Sequence, residues 1–124
     1  MGSKYAPKSY ALVVEDDPVQ RALAVALFEE SGLDVLEAAT AEDALAEFRR
    51  HGVDVKFLFV DVGLPGVLDG VDLARIVRKL WPETVVIATS GLPPVDPLPA
   101  ETLFLQKPWR ALELLLEAEK AARA

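Results

Sequence analysis

Short apolar runs alternate with longer amphipathic segments along most of the chain, and this rhythm sets the first expectations. "YALVV" (10–14) is rich in β-branched residues and too short for a helix, so it reads as a buried strand. Asp17 followed by Pro18 makes a helix start, and Leu23, Leu27 and Phe28 are the apolar positions of a helix running to Gly32. "DVLEA" (34–38) alternates as a strand. Thr40 and Asp43 have the spacing of a capping box, and Leu45 and Phe48 give the buried stripe of a second helix closed by Gly52. "FLFVD" (57–61) is the most continuously hydrophobic strand and therefore central. "GLPGVLDG" reads as a loop, with Asp69 or Gly70 opening a helix through Leu73, Ile76, Val77 and Leu80. "TVVIAT" (84–89) and "TLFLQ" (102–106) complete five strands, and "RALELLLEAEKAARA" forms the last helix. Between the last two strands lie prolines at 93, 94, 97 and 99. An interior proline costs a helix about 3 kcal/mol, so a fourth helix there must be shortened or replaced by a proline-rich loop.

Repeated strand–helix alternation implies a doubly wound α/β domain, a five-stranded parallel sheet with helices on both faces. Ligands of such sheets bind beyond the carboxyl ends of the strands, and polar chemistry does collect there. The first strand runs into Glu15 and Asp16, the third ends in Asp61, the fourth in Thr89 and Ser90, and the fifth leads to Lys107. Three acids, Glu15, Asp16 and Asp61, converging at one edge make a hard oxygen site suited to Mg²⁺. Without a cation their mutual repulsion would raise at least one carboxyl pKa. Asp17 is accounted for by the helix cap.

Composition narrows the function. The 124 residues suffice for one domain, divided as a flexible leader (1–9) and a folded unit (10–124). A net charge of −7 argues against a nucleic-acid surface, which needs a basic stripe. No apolar run is long enough to span a bilayer. The absence of cysteine is compatible with a reducing cytoplasm, where the chain is expected to act.

Four ordered signatures resemble the receiver domains of two-component response regulators: "VVEDD", "FVDVGLPG", "VVIATSG" and "LFLQKPW". The resemblance covers the chain from Leu12 to the last helix and implies a flavodoxin-like strand order of 2-1-3-4-5. It implies that Asp61 accepts a phosphoryl group from a histidine kinase or histidine phosphotransfer protein. Glu15 and Asp16 then bind Mg²⁺ together with Asp61 and the Gly63 carbonyl. Lys107 pairs with the phosphoryl oxygens, Thr89 turns its hydroxyl inward to them, and Phe104 is the aromatic switch position. Ser90 is the small residue beside the phosphoryl group, and Pro108 falls where the family often has a cis peptide bond.

Taken singly, each residue has an ordinary explanation. A strand-end Asp caps, a Thr favours strands, a Lys is solvated and a Phe fills the core. Their coincidence at strand ends carries the functional expectation. Three departures from the family pattern stand out: the missing fourth helix, glycine at both Gly63 and Gly91, and a "GLPGVLDG" loop one residue longer than the commonest form. The leading expectation is a phosphorylated receiver that signals by protein contacts to a downstream partner the sequence does not name. A phosphorylation-independent binding module and a phosphate sink are the alternatives.

Overall fold

The computed structural model describes residues 8–123. Its strands are β1 (Tyr10–Val14), β2 (Asp34–Ala38), β3 (Val55–Asp61), β4 (Val85–Ser90) and β5 (Leu103–Gln106). The helices are α1 (Pro18–Glu30), α2 (Ala41–His51), α3 (Gly70–Leu80) and α4 (Ala111–Arg123), with a 3₁₀ turn at Gly52–Asp54. The expected leader lies outside the described residues except for Lys8 and Ser9, and the Ser9 carbonyl accepts from the Asp34 amide at 3.1 Å.

Helices α1, α2 and α3 each begin where a side chain can take their free amides. Asp17 Oδ1 accepts from the amides of Val19 and Gln20, while Pro18 occupies the first turn, where a missing N–H costs nothing. Thr40 accepts from the Asp43 amide to start α2. Asp69 and Asp72 satisfy each other's backbone amides in a reciprocal capping box that starts α3. Gly32 follows α1 at φ 88°, a conformation that favours glycine and turns the chain into β2.

The sheet is parallel throughout, in the order β2-β1-β3-β4-β5, as the family resemblance implied. Strand alternation then divides the core. Leu12, Val14, Leu58, Val60, Val86 and Ala88 meet α2 and α3 through Ala44, Phe48, Leu73 and Val77. Ala11, Val13, Phe57, Phe59 and Ile87 meet α1 and α4 through Ala24, Phe28 and Leu114 on the other face. β3 is buried nearly end to end, which fits its place in the middle of the sheet.

Two expectations need correction. β3 begins at Val55 rather than Phe57, because Val55 still pairs with Tyr10 across a register shift. Leu23 does not belong to the buried stripe of α1. It is 60% exposed, since the sheet-facing stripe runs through Ala24 and Phe28 and the neighbouring position is rotated about 100° away.

No helix forms between β4 and β5; residues 91–102 form an irregular strap. Leu98 pins it to the core beside Phe104. Two arginines of α3 hold its backbone. Arg75 donates to the Pro97 carbonyl at 3.0 Å, and Arg78 donates to those of Glu101 (3.4 Å) and Pro82 (2.9 Å). Two of the strap's carbonyls, Pro97 and Glu101, are thus satisfied from α3, while that of Pro99 is met from within by the Thr102 amide and that of Gly91 by Gln106.

Candidate functional site

Strand parity brings the site together. Glu15 continues the Ala11–Val13 series, Asp61 the Phe57–Phe59 series, Thr89 follows Ile87, and Lys107 follows Leu105. All four positions continue the α1/α4 side of the sheet at its carboxyl edge. In register, Asp61 pairs with Thr89 and Thr89 with Leu105. The backbone continues this alignment past the strands, with the Val62 amide donating to the Thr89 carbonyl and the Lys107 amide to that of Ser90.

The side chains meet there. Lys107 Nζ lies 2.9 Å from Asp61 Oδ2 and 3.0 Å from Glu15 Oε1. Glu15 is buried, so its charged form loses solvation, and the neighbouring Asp61 carboxylate repels it. Burial and that repulsion raise its pKa despite hydrogen bonds from Lys107 and the Asp17 amide. For Lys107 burial acts to lower the pKa, but hydrogen bonds to Asp61 and Glu15 outweigh it and the ammonium is held above its usual value. The raised carboxyl pKa anticipated among the acids falls on Glu15, where burial is the main cause and repulsion by Asp61 a smaller one, and Lys107 opposes both.

Glu15, Asp16 and Asp61 each offer one carboxylate oxygen within 4.8 Å of the others. Ligands on an octahedron of about 2.1 Å radius lie roughly 3–4 Å apart, so slight closure would let all three share one small hard cation. Asp16 is exposed and contributes the open side. Asp61 Oδ1 accepts from the Gly63 amide at 2.9 Å, which fixes the carboxylate plane and holds the following loop. Gly70 presses on this segment: a Cβ there would collide with the Asp61 carbonyl. Its amide also donates to the Val62 carbonyl.

Thr89 is buried and its Oγ1 has no hydrogen-bond partner. A buried unpartnered hydroxyl costs about 1–3 kcal/mol, and this one sits on β4 in register with Asp61. Phe104 is half-buried on the opposite face of the sheet, paired in register with Ala88. Ser90 closes β4 and is half-buried, and the Lys107–Pro108 bond is cis. Trp109 stacks edge-on against Phe59 at 5.5 Å, tying the lysine loop to β3 two residues before Asp61.

The sequence gives no cue to two supporting residues. Arg21 donates to the Glu15 carbonyl at 2.8 Å and pairs with Glu37 at 3.2 Å, bracing the strand tip that carries the acids. Glu42 accepts from the Leu68 amide. Arg21 folds back on a carbonyl six residues earlier and Glu42 reaches an amide 26 residues on, contacts that no local spacing announces.

Residues 11–96 match the response regulator receiver domain, and the chain belongs to that family. It is 30% identical over 116 residues to the nitrogen assimilation regulatory protein NtrX of Azorhizobium caulinodans, covering 89% of this chain and 25% of that protein. To the transcriptional regulatory protein AruR of Pseudomonas aeruginosa it is 40% identical over 88 residues, covering 68% of this chain and 36% of that protein. The match to the sensor kinase/phosphatase LuxN of Vibrio campbellii, 35% identical, covers 64% of this chain and 9% of that protein. The chain thus spans only a minor part of these curated relatives.

Among solved structures, the receiver domain of NtrX from Brucella abortus superposes with a TM-score of 0.75 at 28% identity, covering 92% of this chain and 98% of that one. A receiver domain protein from Clostridium thermocellum gives 0.81 at 25% identity, covering 93% and 94%. Family membership assigns the chain a phosphoacceptor role in two-component signalling. No described helix is long and apolar enough to cross a membrane.

Proposed function

We propose that Asp61 receives a phosphoryl group from a histidine kinase or histidine phosphotransfer protein, in a Mg²⁺-dependent reaction, and that the modified domain signals through protein contacts. The observation that carries this reading is one ammonium, Lys107, spanning Asp61 and Glu15 beside the unpartnered Thr89 hydroxyl. An Asp61 oxygen attacks phosphorus, the P–O bond forms as the P–N bond to the donor histidine breaks, and the imidazole nitrogen keeps that electron pair. Lys107 then follows the transferred oxygens, and Thr89 gives them its hydroxyl proton as a hydrogen bond. Glu15, Asp16, Asp61 and the Gly63 carbonyl hold the cation, which when bound offsets the charge of the phosphoryl oxygens. Thr89 and Phe104 carry the response away from the site. Ser90 leaves room beside the phosphoryl group, and Pro108 shapes the loop presenting Lys107.

Val19 and Leu23, 69% and 60% exposed on the helix that begins beside Asp16, support a protein donor docking there. This reading places the chain in the cytoplasm with its donor. Incubation with a small phosphodonor and Mg²⁺ should add one phosphoryl mass to the intact protein and none to Asp61→Asn. Equal labelling of that variant would overturn the assignment.

A phosphate sink is the second reading, supported by Gly91, where an added Cβ would meet nothing within 4 Å. With glycine also at Gly63, neither position offers a side chain to screen the phosphoryl group from water. Decay of the labelled protein within seconds favours the sink, and persistence for minutes or longer favours the switch.

A further inference from the structure

The loop between β3 and α3 is fastened at both ends by its own neighbours. At the start the Gly63 amide binds Asp61 Oδ1, and Leu64 is buried. At the far end the Gly70 amide binds the Val62 carbonyl and Asp69 caps α3. The apex, residues 65–67, is the stretch most open to solvent, with Val67 93% exposed, and Leu68 behind it packs half-buried against the core.

Glu42 reaches this apex from the first turn of α2. Its Oε2 accepts from the Leu68 amide at 3.2 Å, a bond across 26 residues of sequence. Its Oε1 lies 3.4 Å from where a Cβ of Gly66 would sit, and Gly66 has φ 109°. A side chain at 66 would be strained in that conformation and would crowd the carboxylate. The close approach of Glu42 and the left-handed glycine therefore belong to one arrangement. A carboxylate at this place also suits the amino end of α2.

We propose that Glu42 is a positioning residue for the acceptor site: by holding the Leu68 amide it fixes the loop that begins at Gly63 and so sets how readily the acid cluster takes Mg²⁺ and phosphate. This rests on the reading of Asp61 given above. The loop starts on the acceptor's own carboxylate, so slack at its apex is felt at Gly63. Glu42 touches neither the phosphoryl group nor the cation.

The test compares Glu42→Ala, Glu42→Asp and Glu42→Gln in the full chain. Amide hydrogen exchange reads the tether directly, and Mg²⁺ titration of the Gly63 amide resonance reads its effect on the cluster. Glu42→Ala and Glu42→Asp, which removes or shortens the acceptor, should speed exchange at Leu68 about fivefold, the factor one modest hydrogen bond supports. Both should weaken Mg²⁺ binding about two- to threefold and slow loading from a small phosphodonor similarly. Glu42→Gln keeps an acceptor oxygen and should stay near wild type. Unchanged exchange at Leu68 overturns the proposal. So does faster exchange there with Mg²⁺ affinity unmoved, or an equal acceleration at Leu58 and Val60, which marks general loosening. Should the wild-type protein take no phosphoryl group, the functional reading fails, while exchange and Mg²⁺ affinity still decide the role of Glu42.

Discussion

Lys107 reaches across from the loop after β5 to place its ammonium 2.9 Å from Asp61 Oδ2 on β3, closing the acceptor site by a contact 46 residues apart in sequence. Removing the ammonium leaves Asp61 and the buried Glu15 facing each other without a counter-charge. Lys107→Met should lower stability in chelator by about 1–3 kcal/mol. Added Mg²⁺ should restore much of it by binding the folded state, while the rate of phosphoryl loading should stay about 10- to 100-fold down. Denaturant unfolding with and without Mg²⁺, paired with loading kinetics, checks both halves.

Glu15 makes stability fall as pH rises. Its folded-state pKa is raised above the ordinary 4.5 because burial and Asp61 disfavour the anion. Its contribution is therefore complete below 4.5 and is lost as pH climbs through the raised value. In chelator, Glu15→Gln should melt close to wild type near pH 4 and a few degrees higher at pH 7, at roughly 3–5 °C per kcal/mol. Mg²⁺ should erase that advantage by binding the wild-type carboxylate. A constant gap between the two melting curves across this range contradicts the account.

Thr89→Val tests whether the buried hydroxyl is held for a ligand. The substitution keeps the shape and deletes an oxygen that has no partner. The resting protein should gain about 0.5–2 kcal/mol. Any difference in stability between the phosphorylated and resting forms should shrink in the same variant, as thermal melts of both would show.

Arg78 donates to the carbonyls of Pro82, Thr84 and Glu101, so it ties the end of α3 to both sides of β4. Arg78→Ala should cost about 1–3 kcal/mol and speed amide exchange in the strap, residues 91–102, more than in β1 or β3. Uniform acceleration across the sheet would show instead that Arg78 stabilises the whole domain.

Much of this architecture is legible in the sequence because it rests on local rules. The runs at 10–14 and 34–38 are too short and too β-branched to be helices, and Asp17, Thr40 and Asp69 announce helix starts through chemistry confined to three residues. The strand-end acids, Thr89 and Lys107 could be gathered because side chains alternate with period two and parallel strands share one carboxyl edge. Tertiary geometry governs the rest. Leu23 looks like its apolar neighbours, and only the orientation of α1 on the sheet turns it outward. Glu42, Arg75 and Arg78 reach backbone atoms more than 20 residues away, and Arg21 folds back onto the Glu15 carbonyl; composition gives no signal of such partners. Phe104 reads as an aromatic in a strand, whereas its face relative to Thr89 follows from the β4–β5 register.

The strap between β4 and β5 changes what kind of motion can leave this side of the domain. A helix moves as a rigid rod, carrying a shift at one end to the other. With four of its backbone torsions locked by Pro93, Pro94, Pro97 and Pro99, this segment behaves as a jointed linkage instead. Bending is left to the positions without a ring, Gly91 and Leu92 next to β4 and Val95, Asp96 and Ala100 around the anchored Leu98. The arginines of α3 become the pivots against which that bending works.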